Sequence, residues 1–299
     1  MGVPEDASTI DAAPMTADAP TFPDGPRLDA PVQPDAPPGD ASPVDGPPAG
    51  IAAHVLLTEI AVAPTAAEMI EIYNPTNAPI ALANYYVADR ADYYALVTGT
   101  LPAVASDFAA RFPASAQILP GEYQTIALHG ATTFMSTYGV SPTYEMVADS
   151  ATVPDMLPAT AGSIGSSLSL TDGGEPVILF YWDQASDLVK DVDYVFYGAA
   201  TTANPLVNKT GISVDGPDTG TTPTLFAADT ATQTPIATHQ SGGSIHRCKF
   251  DENGETATGG NGLVGHDETS EPMSVNWKVN ASTAAQRTPN AGPPLGFCP

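Results

Sequence analysis

The chain has 299 residues, with 34 acidic side chains against 9 basic ones and a net charge of −25. A surface this negative repels phosphate backbones, which excludes nucleic acid as a partner and leaves divalent cations, basic partners or plain solubility. No apolar run approaches the eighteen residues that a membrane-spanning helix needs.

The first fifty residues hold twelve prolines and nine acidic residues against a single basic one, Arg27. Asp-Ala-Pro recurs irregularly, at Asp18-Ala19-Pro20, Asp29-Ala30-Pro31 and Asp35-Ala36-Pro37. With no periodic apolar face to offset the entropy of ordering the backbone, residues 1–50 are expected to be disordered. Proline stiffens such a segment and like charges extend it, so it reads as a stalk, with 51–299 as the folded domain. Met1-Gly2 runs straight into this stalk, as expected where a leader has been removed. Asp/Pro-rich stalks of this kind resemble those that follow the lipid-anchored cysteine of bacterial surface lipoproteins. That resemblance implies an extracytoplasmic protein, at the cell surface or in the periplasm. Membrane association is expected only through a lipid anchor that this chain does not contain.

Beyond the stalk, short Val/Ile/Tyr/Phe-rich runs alternate with Gly, Pro, Asn and Asp clusters, the punctuation of an all-β protein. The pattern predicts strands at 54–62, 69–73, 85–88, 93–97, 123–128, 167–170, 177–182, 189–197, 244–248 and 275–279. In the second of these, Ile70 and Ile72 share one face while Met69, Glu71 and Tyr73 share the other, the mark of one buried side. Residues 177–182 are apolar throughout and read as a central strand covered on both faces. Only 107–112 and 132–138 look briefly helical.

Several of these segments, taken in order, resemble the lamin tail domains, immunoglobulin-like modules of lamins and of many bacterial secreted proteins. The opening, LTEIAVAPTAAEMIEIYNPTNAPIALANYYVAD over 57–89, is similar to the family's first strands. Ile118-Leu119-Pro120-Gly121-Glu122-Tyr123 resembles its Pro-Gly turn, where glycine tolerates φ > 0. The family's Gly-rich hairpin corresponds to SLSLTDGGEPVIL over 167–179, and a V-D-x-V-x-Y-G strand to DVDYVFYG over 191–198. Ser244-Ile245-His246-Arg247, Trp277 and TPNAGP over 288–293 close the series, the last with its Asn and Gly positions exchanged relative to the family. The resemblance implies an all-β, immunoglobulin-like sandwich with long loop insertions. The stretches 98–117, 130–165 and 199–243 exceed the compact pattern, and loops that long are either functional or disordered.

Signatures of catalysis are absent: there is no G-x-S-x-G elbow, H-E-x-x-H, P-loop or G-x-G-x-x-G. The histidines, His54, His129, His239, His246 and His266, are scattered, and none has a second histidine three or four residues away, so no local zinc half-site stands out. Glu59 and Glu71 form a carboxylate pair on neighbouring strands; the expectation is scaffold, with these acids satisfying backbone groups or pairing with Arg247 or Lys249. Calcium is the chemical candidate. Asp251, Asn253 and Glu255 alternate oxygen-bearing side chains as hard-cation loops do, with Asp267 and Glu268 in the same acidic excursion. The two cysteines, Cys248 and Cys298, are expected to pair in an oxidising compartment. No other cofactor is expected. The function expected is that of a non-enzymatic binding or structural module, held out on its stalk and contacting a surface protein or a polysaccharide through the enlarged loops. The alternative is a secreted hydrolase, or a hydrolase's accessory domain, with a site built from the insertions.

Overall fold

Short β-branched and aromatic runs broken by glycine and proline make short strands, and these strands supply most of the regular secondary structure in the computed structural model of the chain. It describes residues 52–280, 287–294 and 296–298, all within one compact unit. The expected stalk, 1–50, lies outside the described residues.

In chain order, β1 (Leu56–Ala61), β2 (Met69–Tyr73), β3 (Ile80–Ala81) and β4 (Tyr85–Ala88) lead to β5 (Ala109–Arg111), β6 (Gln117–Ile118) and β7 (Tyr123–Ala127). The helix α1 (Ala131–Tyr138) precedes β8 (Tyr144–Glu145), β9 (Leu157–Pro158), β10 (Gly174–Tyr181) and β11 (Lys190–Gly198). Then come β12 (Ser213–Val214), β13 (Thr224–Leu225), β14 (Ser244–Arg247), the short α2 (Met273–Asn276) and β15 (Trp277–Asn280).

A six-stranded sheet has the order β15-β14-β1-β2-β7-β8, and a five-stranded sheet the order β11-β10-β4-β5-β9. Isoleucine sets the inner face of the first: Ile245, Ile60, Ile70 and Ile126 stand opposite one another across four strands, all fully buried. They share one apolar cluster with Val87, Val177, Leu179, Val195 and Phe196 of the second sheet. Each such side chain contributes about 1.5–3 kcal/mol by leaving water. On the outer face, Ala61, Met69 and Ala127 receive Phe134 of α1. The described residues are thus mostly β, arranged in several sheets with few helices, as a β-sandwich requires.

Three sequence expectations are corrected. Residues 93–97 are not a strand but the start of a 3-10 helix, Tyr93–Thr98, stopped by Gly99 in the left-handed region (φ 77°). The aromatic content that suggested a strand serves burial: the Tyr93 hydroxyl donates to Asp191 inside the protein. Residues 107–112 are not helical, because β5 pairs there with β4. Over 167–170 no strand forms, since Ser169 Oγ and Leu170 N donate to the Glu68 carboxylate (2.8 and 2.9 Å) in place of a ladder.

Candidate metal centre

The stretch between β14 and α2 leaves the sheet as a long excursion, and its ends determine which side chains meet. Phe250 O accepts Ala52 N–H at 2.8 Å, which lays the chain before β1 alongside the excursion and brings His54 to it. Glu252 adopts a positive φ of 50° and Gly254 one of 99°, so the backbone reverses there and Glu255 N donates to Glu252 O at 3.2 Å. Thr256 and Asp267 then form an antiparallel bridge that closes the loop. One step along, this register sets Glu255 opposite Glu268. Glu268 opens a 3-10 helix, Glu268–Ser270, capped by Asp267.

Two groups of ligand atoms result. One atom each of His54, Glu252 and Glu268 lie within 4.8 Å of one another, and so do one atom each of Glu252, Glu255 and His266. His54 Nε2 stands 3.2 Å from Glu252 Oε1, and His266 Nδ1 stands 3.3 Å from Glu255 Oε2. The His54 side chain is 1% exposed and that of Glu255 2%. His54 Nε2, Glu252 Oε1, Glu255 Oε1 and Glu268 Oε1 are all buried and face one another, with no hydrogen-bond partner outside the cluster. Orphaned buried polar atoms are rare in folded proteins, and each costs about 1–3 kcal/mol. Their convergence on one point is what a cation relieves. The orientation of His54 fits that role: Nδ1–H donates to Val55 O at 3.1 Å, and Nε2 faces Glu252, where a metal ion would take the place of the Nε2 proton.

Electrostatics agree. Burial, reinforced by the charge of Glu252, pushes Glu255 up to about 8. Burial and the charges of Glu255 and Glu252 hold Glu268 well above the ordinary carboxylate range. The His54–Glu252 pair behaves as ions: despite burial, Glu252 raises His54, and despite burial, His54 holds Glu252 below its usual value. Two carboxyl groups raised by burial beside the His54–Glu252 ion pair mark a place where further negative charge is costly, and a cation bound in place of their protons would relieve that cost. Imidazole nitrogen with carboxylate oxygen suits zinc, manganese, iron or cobalt, whereas calcium takes oxygen alone. A cleft of about 410 Å³, lined by His54, Glu252, Glu255 and His266 with Asp251 and Asn253, opens onto the cluster.

The expected calcium triad is therefore divided. Asp251 Oδ2 accepts from Asn253 Nδ2 at 2.6 Å and Oδ1 from Asn253 N at 3.2 Å, so these two satisfy each other in a local turn. Glu255 instead turns inward to His266. Asp267 is occupied structurally, by Thr269 and Thr230, while Glu268 does join the cluster. His54 and Glu252 carried no local signal. A search for histidines one helical turn apart cannot find ligands separated by some two hundred residues of chain.

Cys248 and Cys298 form a disulfide with Cα atoms 5.3 Å apart, tying the C-terminal segment to the end of β14. Glu59 and Glu71 stand opposite each other on β1 and β2, fully buried. Their partners differ from the expected Arg247 or Lys249. Glu59 lies 3.2 Å from His246 Nε2 and accepts Thr288 N–H; Glu71 accepts the Thr58 hydroxyl at 2.9 Å and Ala291 N–H at 3.3 Å. Alternation along β14 is the reason: His246 shares their face, and Arg247 points the other way, to Asp193 and Glu271.

No family model matches the chain, and no curated protein matches it. Among solved structures it is similar to a DUF4876 family protein from Bacteroides thetaiotaomicron, with 15% identity over 81% of this chain and 75% of that one, at a TM-score of 0.42.

Proposed function

We propose that this chain is a metal-binding module of the lamin tail type, carried outside the cytoplasm on its acidic stalk. In this reading a divalent transition-metal ion on His54, Glu252 and Glu268 pins the excursion to the body of the domain. The enlarged loops then bind a surface protein or a polysaccharide without chemical turnover. The observation that carries the metal is the convergence of buried ligand atoms with no hydrogen-bond partner outside the cluster, His54 Nε2 among them. The ordered series of motifs from 57 to 293 supports the lamin tail type, and the acidic, proline-dense first fifty residues support the stalk.

Calorimetric titration of the chelator-treated chain with Zn²⁺, Mn²⁺ and Ca²⁺ tests the metal. Zn²⁺ or Mn²⁺ should bind, with Ca²⁺ weaker, and Glu268→Gln should weaken the preferred ion about 10- to 100-fold, the usual range for a disturbed metal shell. Absence of transition-metal heat, or a preference for Ca²⁺, sinks the reading.

A second reading is a metal-dependent hydrolase, favoured by the cleft that opens onto Glu255 and His266. A hydrolase screen of the metal-loaded chain separates the two. Turnover abolished by His266→Ala establishes the hydrolase; no turnover in the loaded chain leaves the binding module.

A further inference from the structure

Glu252 belongs to both ligand groups, while His54 and Glu268 belong to one and Glu255 and His266 to the other. The atoms therefore gather around two neighbouring points that share one carboxylate. A carboxylate has two oxygens and bridges two ions about 3.5–4 Å apart in dinuclear centres. We infer that the centre is dinuclear: a second divalent transition-metal ion lies on Glu252, Glu255 and His266, bridged through Glu252 to the first. This rests on the metal-binding reading of the site.

The buried ligand atoms left over by the first ion point to a second. An ion on His54, Glu252 and Glu268 satisfies His54 Nε2 and one oxygen of each of those glutamates. Glu255 Oε1 remains buried and without a hydrogen bond, on a side chain that is 2% exposed. Its Oε2 lies 3.3 Å from His266 Nδ1, the nitrogen that the second ion would take.

The two positions differ in access. His54 and Glu268 are buried, whereas the His266 side chain is 27% exposed and lines the cleft with Glu255. The inner ion is held in a closed site. The outer one, with three protein ligands, keeps positions open towards the cleft and exchanges through it.

The test is metal content. The untagged full chain is stripped with chelator, reloaded with Mn²⁺ or Zn²⁺, desalted and measured by mass spectrometry, beside His266→Ala and His54→Ala checked for folding by circular dichroism. The inference expects two ions per chain, falling to one in His266→Ala. The Mn²⁺-loaded wild type should give the broadened, exchange-coupled electron paramagnetic resonance of a pair, and His266→Ala the six-line signal of an isolated ion. One ion in wild type, unchanged by His266→Ala, overturns the dinuclear centre and leaves the metal-binding reading standing. Two ions, still two in His266→Ala, overturn it as well, since the second then lies elsewhere. No ion at all overturns both readings.

Discussion

His54 Nε2 and Glu252 Oε1 stand 3.2 Å apart, both buried, and neither atom has another hydrogen-bond partner. The imidazole belongs to the segment that leads into β1 and the carboxylate to the excursion that leaves the sheet, so whatever joins them fixes the loop to the domain. Melting temperature should therefore rise with Zn²⁺ or Mn²⁺ and fall in chelator. An ion at a hundred times its dissociation constant stabilises by about 2.7 kcal/mol. His54→Ala should lose that increment. A wild-type melt identical in chelator and in saturating metal contradicts the assignment.

Arg247 is fully buried between Asp193 and Glu271 and also donates to Leu57 O at 2.9 Å. Removing one partner of a buried pair strands the other charge. Arg247→Met should therefore destabilise the domain by about 3–5 kcal/mol in urea unfolding. The double variant Arg247→Met/Glu271→Gln should recover part of the loss, and a single variant as stable as wild type contradicts this account.

Glu71 gives a pH dependence with a definite sign. Burial pushes it from its ordinary 4.5 up to about 7, against the pull of the Thr58 hydroxyl and backbone amides from 290–292. The folded state thus holds a proton that the unfolded state releases. This contribution to stability is intact below about pH 4.5 and is lost as pH rises through 7. At about 1.4 kcal/mol per pH unit, roughly 3 kcal/mol disappears between pH 5 and 8. Glu71→Gln should make the stability profile shallower by that amount across that window. An equally steep profile in the variant rules out Glu71 as its source.

The strands were legible because their signal is local. Alternation placed Ile70 and Ile72 on one face and Glu71 on the other, and the structure buries the isoleucines in the shared core; the expected single buried side is corrected, because Met69 and Glu71 on the other face are buried as well. Residues 93–97 misled because aromatic content does not distinguish a strand from a helical turn whose tyrosine is pulled inward by a distant aspartate. The metal centre was legible only in part. Glu255 and Glu268 stood out as acids of one Gly-rich excursion, but His54 reaches them through a backbone pairing between Ala52 and Phe250 that leaves no trace in composition or spacing. Asp251 and Asn253 suggested a cage because alternating oxygens also make the local turn in which they are found.

Cys248 and Cys298 are separated by 50 residues. Closing a loop of that length in the unfolded chain stabilises the folded state by about 4 kcal/mol on the chain-entropy estimate. Cys248→Ser/Cys298→Ser should lose most of this in denaturant unfolding. A loss under about 1 kcal/mol shows that the bridge contributes little to the stability of the domain.

The most direct measurement is crystallographic. Crystals of the full chain grown with Zn²⁺ or Mn²⁺, with data collected at that metal's absorption edge, should show anomalous density within bonding distance of His54 Nε2, Glu252 and Glu268. Anomalous density at Asp251 and Asn253 instead, or none at these side chains under saturating metal, contradicts the account.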